Sequence, residues 1–178
     1  EALAAVSASF FIYYFIISLV IGVGSGTTVV ISQLFGAKQY QKVQLAFSSF
    51  FIFMLVGGII LSIAGIIFAE PVFRLTNTPE EVIPQAVAYF RIYIGGTFLF
   101  VTFNSIISIL RGVGESVRPM LFILITTVLN IAFDLLFILV FKWGIEGAAR
   151  ATVVSQGIGM CIALAYVNNT HPLLSIKK

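Results

Sequence analysis

At 178 residues the chain has the length of one ordinary domain, yet 60% of it is apolar, only 10% is charged and its mean hydropathy is +1.10. A soluble domain carries roughly a quarter of its residues as charges, so this chain cannot cover a water-facing surface, and a soluble globular fold is excluded. The net charge of +3 is small and scattered, which excludes a nucleic-acid-binding face.

The charges fall in short clusters. Between them, residues 2–37, 43–69, 92–110, 119–133 and 151–170 carry none. A helix needs about 20 apolar residues to cross a hydrocarbon core of roughly 30 Å. The fourth run reaches that length once Asp134 is admitted to the span. In chain order the predicted spans are about 8–34, 44–69, 86–110, 119–141 and 146–167, so the fold class is an all-α polytopic membrane protein with five transmembrane helices. The first residue is Glu, and no basic stretch precedes the first run. That run therefore reads as a mature span rather than a signal peptide, in a chain expected to begin in mid-sequence.

Of the connections, only 70–85 is long. There Thr78-Pro79-Glu80-Glu81 has the form of a helix start, with Thr78 as N-cap and Glu81 as the return half of a capping box. The expectation is an interfacial helix over 70–88 that enters the third span, kinked at Pro84. One set of span ends carries Lys38, Lys42, Arg111, Arg118, Lys177 and Lys178 against Glu115, a net +5. The other carries Arg74, Arg91, Lys142 and Arg150 against Glu1, Glu70, Glu80, Glu81 and Glu146, a net −1. Basic ends stay cytoplasmic, so the N-terminus is expected outside and the C-terminus inside. Single cysteines at Asn77 and Ser175, in a Cys161→Ala background, test this. An impermeant maleimide should label position 77 in intact cells and spare 175; the reverse pattern overturns the orientation.

Asp134 is the one acid well inside an apolar span. An ionisable group there costs several kcal/mol unless it is paired, protonated or hydrated. Thr126, Thr127 and Asn130 precede it by eight, seven and four residues, which puts all four on one helix face. A short turn leads to the next span, whose start, Gly147-Ala148-Ala149-Arg150-Ala151-Thr152, is built of small residues that allow close backbone approach. Asp134 lies about 13 Å from Trp143 along its helix and Thr152 about 10 Å from Ile145 along the next, so the two sit at similar depth. Asn130, Asp134 and Thr152 together can offer oxygens to one Na⁺ or proton. The plainer alternatives are that Asp134 is structural, bonded to Asn130 or paired with Arg150, and that Thr152 bonds only its own helix. Tyr13, Tyr14, Asn104 and Thr127 are candidates for lining a cavity; the Asn104, Ser105 and Ser108 stripe serves equally well to bond neighbouring helices.

Other apparent motifs carry no chemistry. Gly22-Val23-Gly24-Ser25-Gly26 lies in an apolar span with no strand before it, so close helix packing explains it better than phosphate binding; Gly57-Gly58 and Gly95-Gly96 read alike. Cys161 is the single cysteine, without an intrachain partner or a metal-ligand pair. His171 sits in a polar tail, and no serine has a His and an acid placed for nucleophilic catalysis, so an enzyme is not expected.

Three segments carry a resemblance. They are Gly24-Ser25-Gly26-Thr27-Thr28-Val29-Val30-Ile31-Ser32-Gln33-Leu34-Phe35-Gly36-Ala37; Arg111-Gly112-Val113-Gly114-Glu115 with Pro119; and Asn130-Ile131-Ala132-Phe133-Asp134 continuing to Gly144-Ile145-Glu146-Gly147-Ala148-Ala149-Arg150-Ala151-Thr152-Val153-Val154-Ser155-Gln156. In order and spacing they resemble the multidrug and toxic compound extrusion (MATE) transporters across nearly the whole chain. The resemblance implies a twelve-helix protein of two six-helix lobes around a central cavity, which exports small cationic, amphipathic organic compounds in exchange for Na⁺ or H⁺. Residues 1–178 would be helices two to six of the N-terminal lobe. The first helix, with a further acid, and the C-terminal lobe would be its partners, together with the lipid bilayer of a bacterial or archaeal cell (inner) membrane. Asn130, Asp134, Ala148 and Thr152 fall on the family's cation-site positions, and no cofactor beyond the coupling ion is implied. Arg150 departs from the family's usual apolar residue. The rival readings are a related lipid-linked oligosaccharide flippase and a non-transporting membrane subunit.

Overall fold

The apolar runs are helices throughout the computed structural model, which describes residues 2–75 and 79–170, with side chains from Ile17 onward and that of Tyr14 before it. In chain order they are α1 (Ala2–Gly36), α2 (Tyr40–Leu75), α3 (Ile83–Gly95), α4 (Thr97–Gly112), α5 (Val117–Leu135) and α6 (Gly144–Thr170). Lipid offers no partner for backbone N–H and C=O groups, so a spanning segment must satisfy them within its own helix. Among the described residues five stretches are long and apolar enough to cross a membrane: Ile17–Gly36, Tyr40–Leu75, Ile83–Gly112, Val117–Val140 and Gly144–Thr170. These are the five spans predicted from the charge-free runs.

The interfacial helix expected over 70–88 does not form. Residues 70–75 instead finish α2, which runs through Pro71. Residues 79–82 make a turn in which the amides of Val82 and Ile83 reach the Pro79 carbonyl at 2.9 and 3.3 Å. Helix α3 begins at Ile83 with no side-chain cap, and Pro84 falls in its first turn, where a missing N–H costs nothing and no kink results. Thr78 lies outside the described residues. The cause is burial: Ala69 and Phe73 at the end of α2 pack with Ile83, Ala86, Phe90 and Ile94 of α3, which favours carrying α2 past the expected boundary.

The third span is the centre of the bundle. More than half of it is buried, whereas the span holding α5 buries only Pro119, Phe122 and Thr126. Helix α4 packs on α1, α2 and α6, and its Ile106, Ile109 and Leu110 meet Ile31, Val43 and Phe47 in the main core. Two of the glycine pairs make the expected close approaches. A Cβ on Gly58 would lie 2.9 Å from the Phe98 Cα, and one on Gly96 would run into Val153. In the first glycine cluster only Gly24 is tight, where an added Cβ would lie 2.7 Å from the Ser108 Oγ; one on Gly22 or Gly26 would meet nothing within 4 Å. The outward faces are apolar: Ile59, Ile63 and Ile67 of α2 and Leu124, Val128 and Ile131 of α5 are exposed.

Helix α6 is seated on α5 through Gly159, whose added Cβ would collide with the Thr126 methyl and lie 3.3 Å from Phe103. Overpacking of this kind costs about 1–3 kcal/mol. Gly159→Ala is therefore expected to lower the thermal midpoint of the full-length protein by several degrees. Gly157→Ala, with only an ordinary 3.5 Å contact to Leu99, should leave it unchanged. Size-exclusion thermal-shift measurements decide between this and equal effects of both.

Candidate cation site

Helices α5 and α6 are antiparallel neighbours joined by a tight turn, in which Lys142 and Gly144 both adopt φ near +57° (56° and 57°). Their close approach comes from the small residues expected to allow it: Ala149 and Ala151 are fully buried, and a Cβ on Gly147 would lie 3.3 Å from the Phe137 backbone. This seating brings Asn130 of α5 onto Thr152 of α6, with the Asn130 Nδ2 donating to the Thr152 Oγ1 at 3.3 Å. The Thr152 hydroxyl in turn donates to the Ala148 carbonyl at 3.1 Å. Thr152 thus bonds its own helix, as membrane threonines do, and also accepts a bond across the interface. In this register Asn130 faces Thr152, and Asp134, one turn further along α5, falls level with Ala148, one turn earlier on α6. The expected common depth is a ladder of two rungs rather than one contact.

Asp134 is half-buried, and its Oδ1 is a buried acceptor without a hydrogen-bond partner. Arg150 does not serve it. Arg150 pairs with Glu146 one turn back at 2.9 Å and lies over the Trp143 ring with its guanidinium carbon 4.8 Å from the centroid. The two ion pairs among the described residues are Glu70–Arg74 and Glu146–Arg150, so Asp134 is in neither. Pairing with Arg150 and bonding to Asn130, the two structural alternatives for this acid, are both absent.

Two residues beyond Asp134, α5 loosens into a π-helical turn, Leu136–Val140. Such wide turns are rare and concentrate at functional sites. Phe137 within it stacks on Phe133 and Phe141, with centroids 5.7 and 5.9 Å apart, and packs against Trp143. The aromatic cluster closes the end of the α5–α6 pair that carries the connecting turn.

The remaining sequence candidates are not drawn into this ladder. Thr127 is exposed and donates to the Ile123 carbonyl of its own helix at 2.8 Å. The Asn104 Nδ2 donates to Phe100 on its own helix at 2.9 Å. Tyr14 is exposed, and the side chain of Tyr13 lies outside the described residues. Two residues that spacing did not single out border the site. Gln156, one turn past Thr152, has a buried Oε1 without a partner; its position four residues on was the available signal. Tyr89 of α3 is within electrostatic reach of Asp134, and only the tertiary fold brings it there.

As a set of donors the site is made of oxygen. It has one carboxylate, the Thr152 hydroxyl, the Asn130 amide oxygen left free by its donating Nδ2, and the Ala148 carbonyl. Hard cations take such ligands. No cluster of three or more His, Cys, Asp or Glu occurs among the described residues.

Comparison with known proteins agrees with this architecture. The MatE family profile matches residues 1–136. The chain is 35% identical to a probable multidrug resistance protein of Bacillus subtilis, YoeA, over 97% of its own length and 38% of that protein's. Among solved structures it superposes with TM-score 0.93 on an outward-facing multidrug resistance MATE family transporter of the MOP superfamily, at 29% identity, over 98% of this chain and 39% of that one. An inward-facing structure of such a transporter gives TM-score 0.91 at 30% identity, over 99% and 40%. The chain therefore spans about two-fifths of the length of these relatives. Its five spans, their helical packing and the profile match establish that the chain belongs to the MATE transporter family.

Proposed function

We propose that residues 1–178 supply most of the N-terminal lobe of a cation-coupled antiporter, which exports small cationic, amphipathic organic compounds across the cell (inner) membrane of a bacterium or archaeon. The observation that carries the reading is the buried, unpartnered Oδ1 of Asp134 beside the Asn130–Thr152 contact. A carboxylate left so in a membrane span calls for a positive charge, and no cationic side chain among the described residues pairs with it. Na⁺ or H⁺ fills that need. The printed name of one relative, a probable multidrug resistance protein, supports drug export, although another is named a FAD transporter; relatives solved in outward- and inward-facing states support alternating access. A driving ion can bias such an exchange only by binding its two states unequally. Asp134 would then be charged in one state and neutralised in the other, with Asn130, Thr152 and Ala148 adding neutral oxygens.

The cavity of such a transporter needs a first helix and a second lobe, so the test uses the full-length protein. In proteoliposomes, export of a cationic dye should follow an imposed pH or Na⁺ gradient and stop when that gradient is dissipated. Export at the same rate without either gradient would exclude coupling. A flippase handling lipid-linked oligosaccharide is disfavoured, because an anionic pyrophosphate calls for a basic cavity and the deep charge here is an acid.

A further inference from the structure

On α3, away from the α5–α6 site, lies a second candidate. The outer ends of α2 and α3 enclose a cleft of about 500 Å³, walled by Glu70 and Arg74 of α2, Arg91 of α3 and Glu80 of the preceding turn. Its floor includes Ile83 and Val87, which are buried. Glu70 and Arg74 pair with each other at 2.9 Å, so their charges cancel. Arg91 is held by a bond from its Nε to the Ile66 carbonyl at 3.4 Å. Neither Arg91 nor Glu80 enters an ion pair among the described residues. The cleft therefore presents one anchored, uncompensated cation and one uncompensated anion. Arg91 follows Tyr89 by two residues, about 200° around the helix. Ile83, Val87 and Arg91, which line the cleft, recur every four residues and so share a face of α3 away from Tyr89.

Below the cleft, α2 carries an exposed apolar stripe. Ile67, Ile63, Ile59 and Val56 are all exposed and precede Glu70 by three, seven, eleven and fourteen residues, which keeps them on one helix face. A charged cleft above an apolar stripe matches a molecule with a polar head and long apolar tails. We propose that this cleft binds a zwitterionic aminophospholipid of the leaflet on the less basic side. Its phosphate lies on Arg91, its ammonium on Glu80, and its chains run along Ile67 to Val56. Arginine suits phosphate because its planar fork can meet two oxygens. A primary ammonium offers three N–H donors to Glu80, whereas a quaternary ammonium has none, so an ethanolamine head is favoured over choline. An anionic head lacking the amine leaves Glu80 facing a negative charge.

The test is native mass spectrometry of the full-length transporter in detergent. Phosphatidylethanolamine, phosphatidylcholine and phosphatidylglycerol are offered at equal concentration, with glycerophosphoethanolamine as the soluble head alone. The ethanolamine lipid should be retained preferentially, and the soluble head should not displace it. Arg91→Gln should lower retained phosphatidylethanolamine about tenfold, the scale of one lost charge-assisted contact. Glu80→Gln should remove the preference over phosphatidylcholine while keeping most of the binding. Both side chains are exposed, so both variants should fold, which their elution profiles check. Equal retention by parent and Arg91→Gln, no preference among the three lipids, or displacement by the soluble head overturns the proposal.

Discussion

Asp134→Asn in the full-length transporter is expected to abolish ion-driven export while leaving insertion and folding nearly intact. Asparagine keeps the shape of the side chain and removes only its charge. The carboxylate makes no ion pair among the described residues, and its Oδ1 no hydrogen bond, so none of these residues loses a partner by the change. A structural acid would behave otherwise, since breaking a buried pair costs roughly 3–5 kcal/mol. On the proposed mechanism, what is lost is the group that distinguishes the ion-loaded state from the empty one. At about 1.4 kcal/mol per factor of ten, losing a charge–ion contact of comparable strength slows coupled export by about a hundredfold or more. Proteoliposome efflux under imposed pH and Na⁺ gradients measures it, with a folding check by elution profile. A well-folded variant exporting at the parental rate under both gradients shows that Asp134 is structural.

The second large effect concerns the rung beside it. Asn130→Ala and Thr152→Val each remove one neutral oxygen and one side of the 3.3 Å contact between them. Each is expected to weaken coupled export by about tenfold, as the loss of a hydrogen bond near a charge costs roughly 1.5–3 kcal/mol. Because they share that contact, the double variant should lose little more than either single one, a coupling that a double-mutant cycle reads directly. Fully additive losses would mean that the two residues act at separate places. The hydroxyl, not the size, is at issue for Thr152, so Thr152→Ser should retain most of the activity.

Much of this was legible in the sequence, and the residues show why. The five charge-free runs gave five spans because lipid tolerates few charges and demands closed backbone hydrogen bonding. The face shared by Asn130 and Asp134 followed from a spacing of four, and the close seating of α6 from its run of small residues. Where the reading failed, two local signals competed. Thr78-Pro79-Glu80-Glu81 has the form of a helix start, but burial of Phe73 against Phe90, with rings 5.5 Å apart, extends α2 and leaves 79–82 as a turn. The alternative that Arg150 pairs with Asp134 is not the one taken up: Arg150 pairs with Glu146 and lies over the ring of Trp143. The approach of Tyr89 to Asp134 and the π-helical turn after Asp134 had no local signature, since each depends on how α3, α5 and α6 pack together.

Ion movement evoked by substrate tests the central claim most directly. Proteoliposomes holding the full-length protein, loaded with ²²Na⁺ or a pH-sensitive dye, are given a cationic amphipathic substrate on one side with no imposed gradient. The parental protein is expected to move Na⁺ or H⁺ opposite to the substrate. The Asp134→Asn protein should move neither ion, although it still binds the substrate. The same ion flux per substrate in Asp134→Asn as in the parent would contradict the assignment of Asp134 as the coupling site.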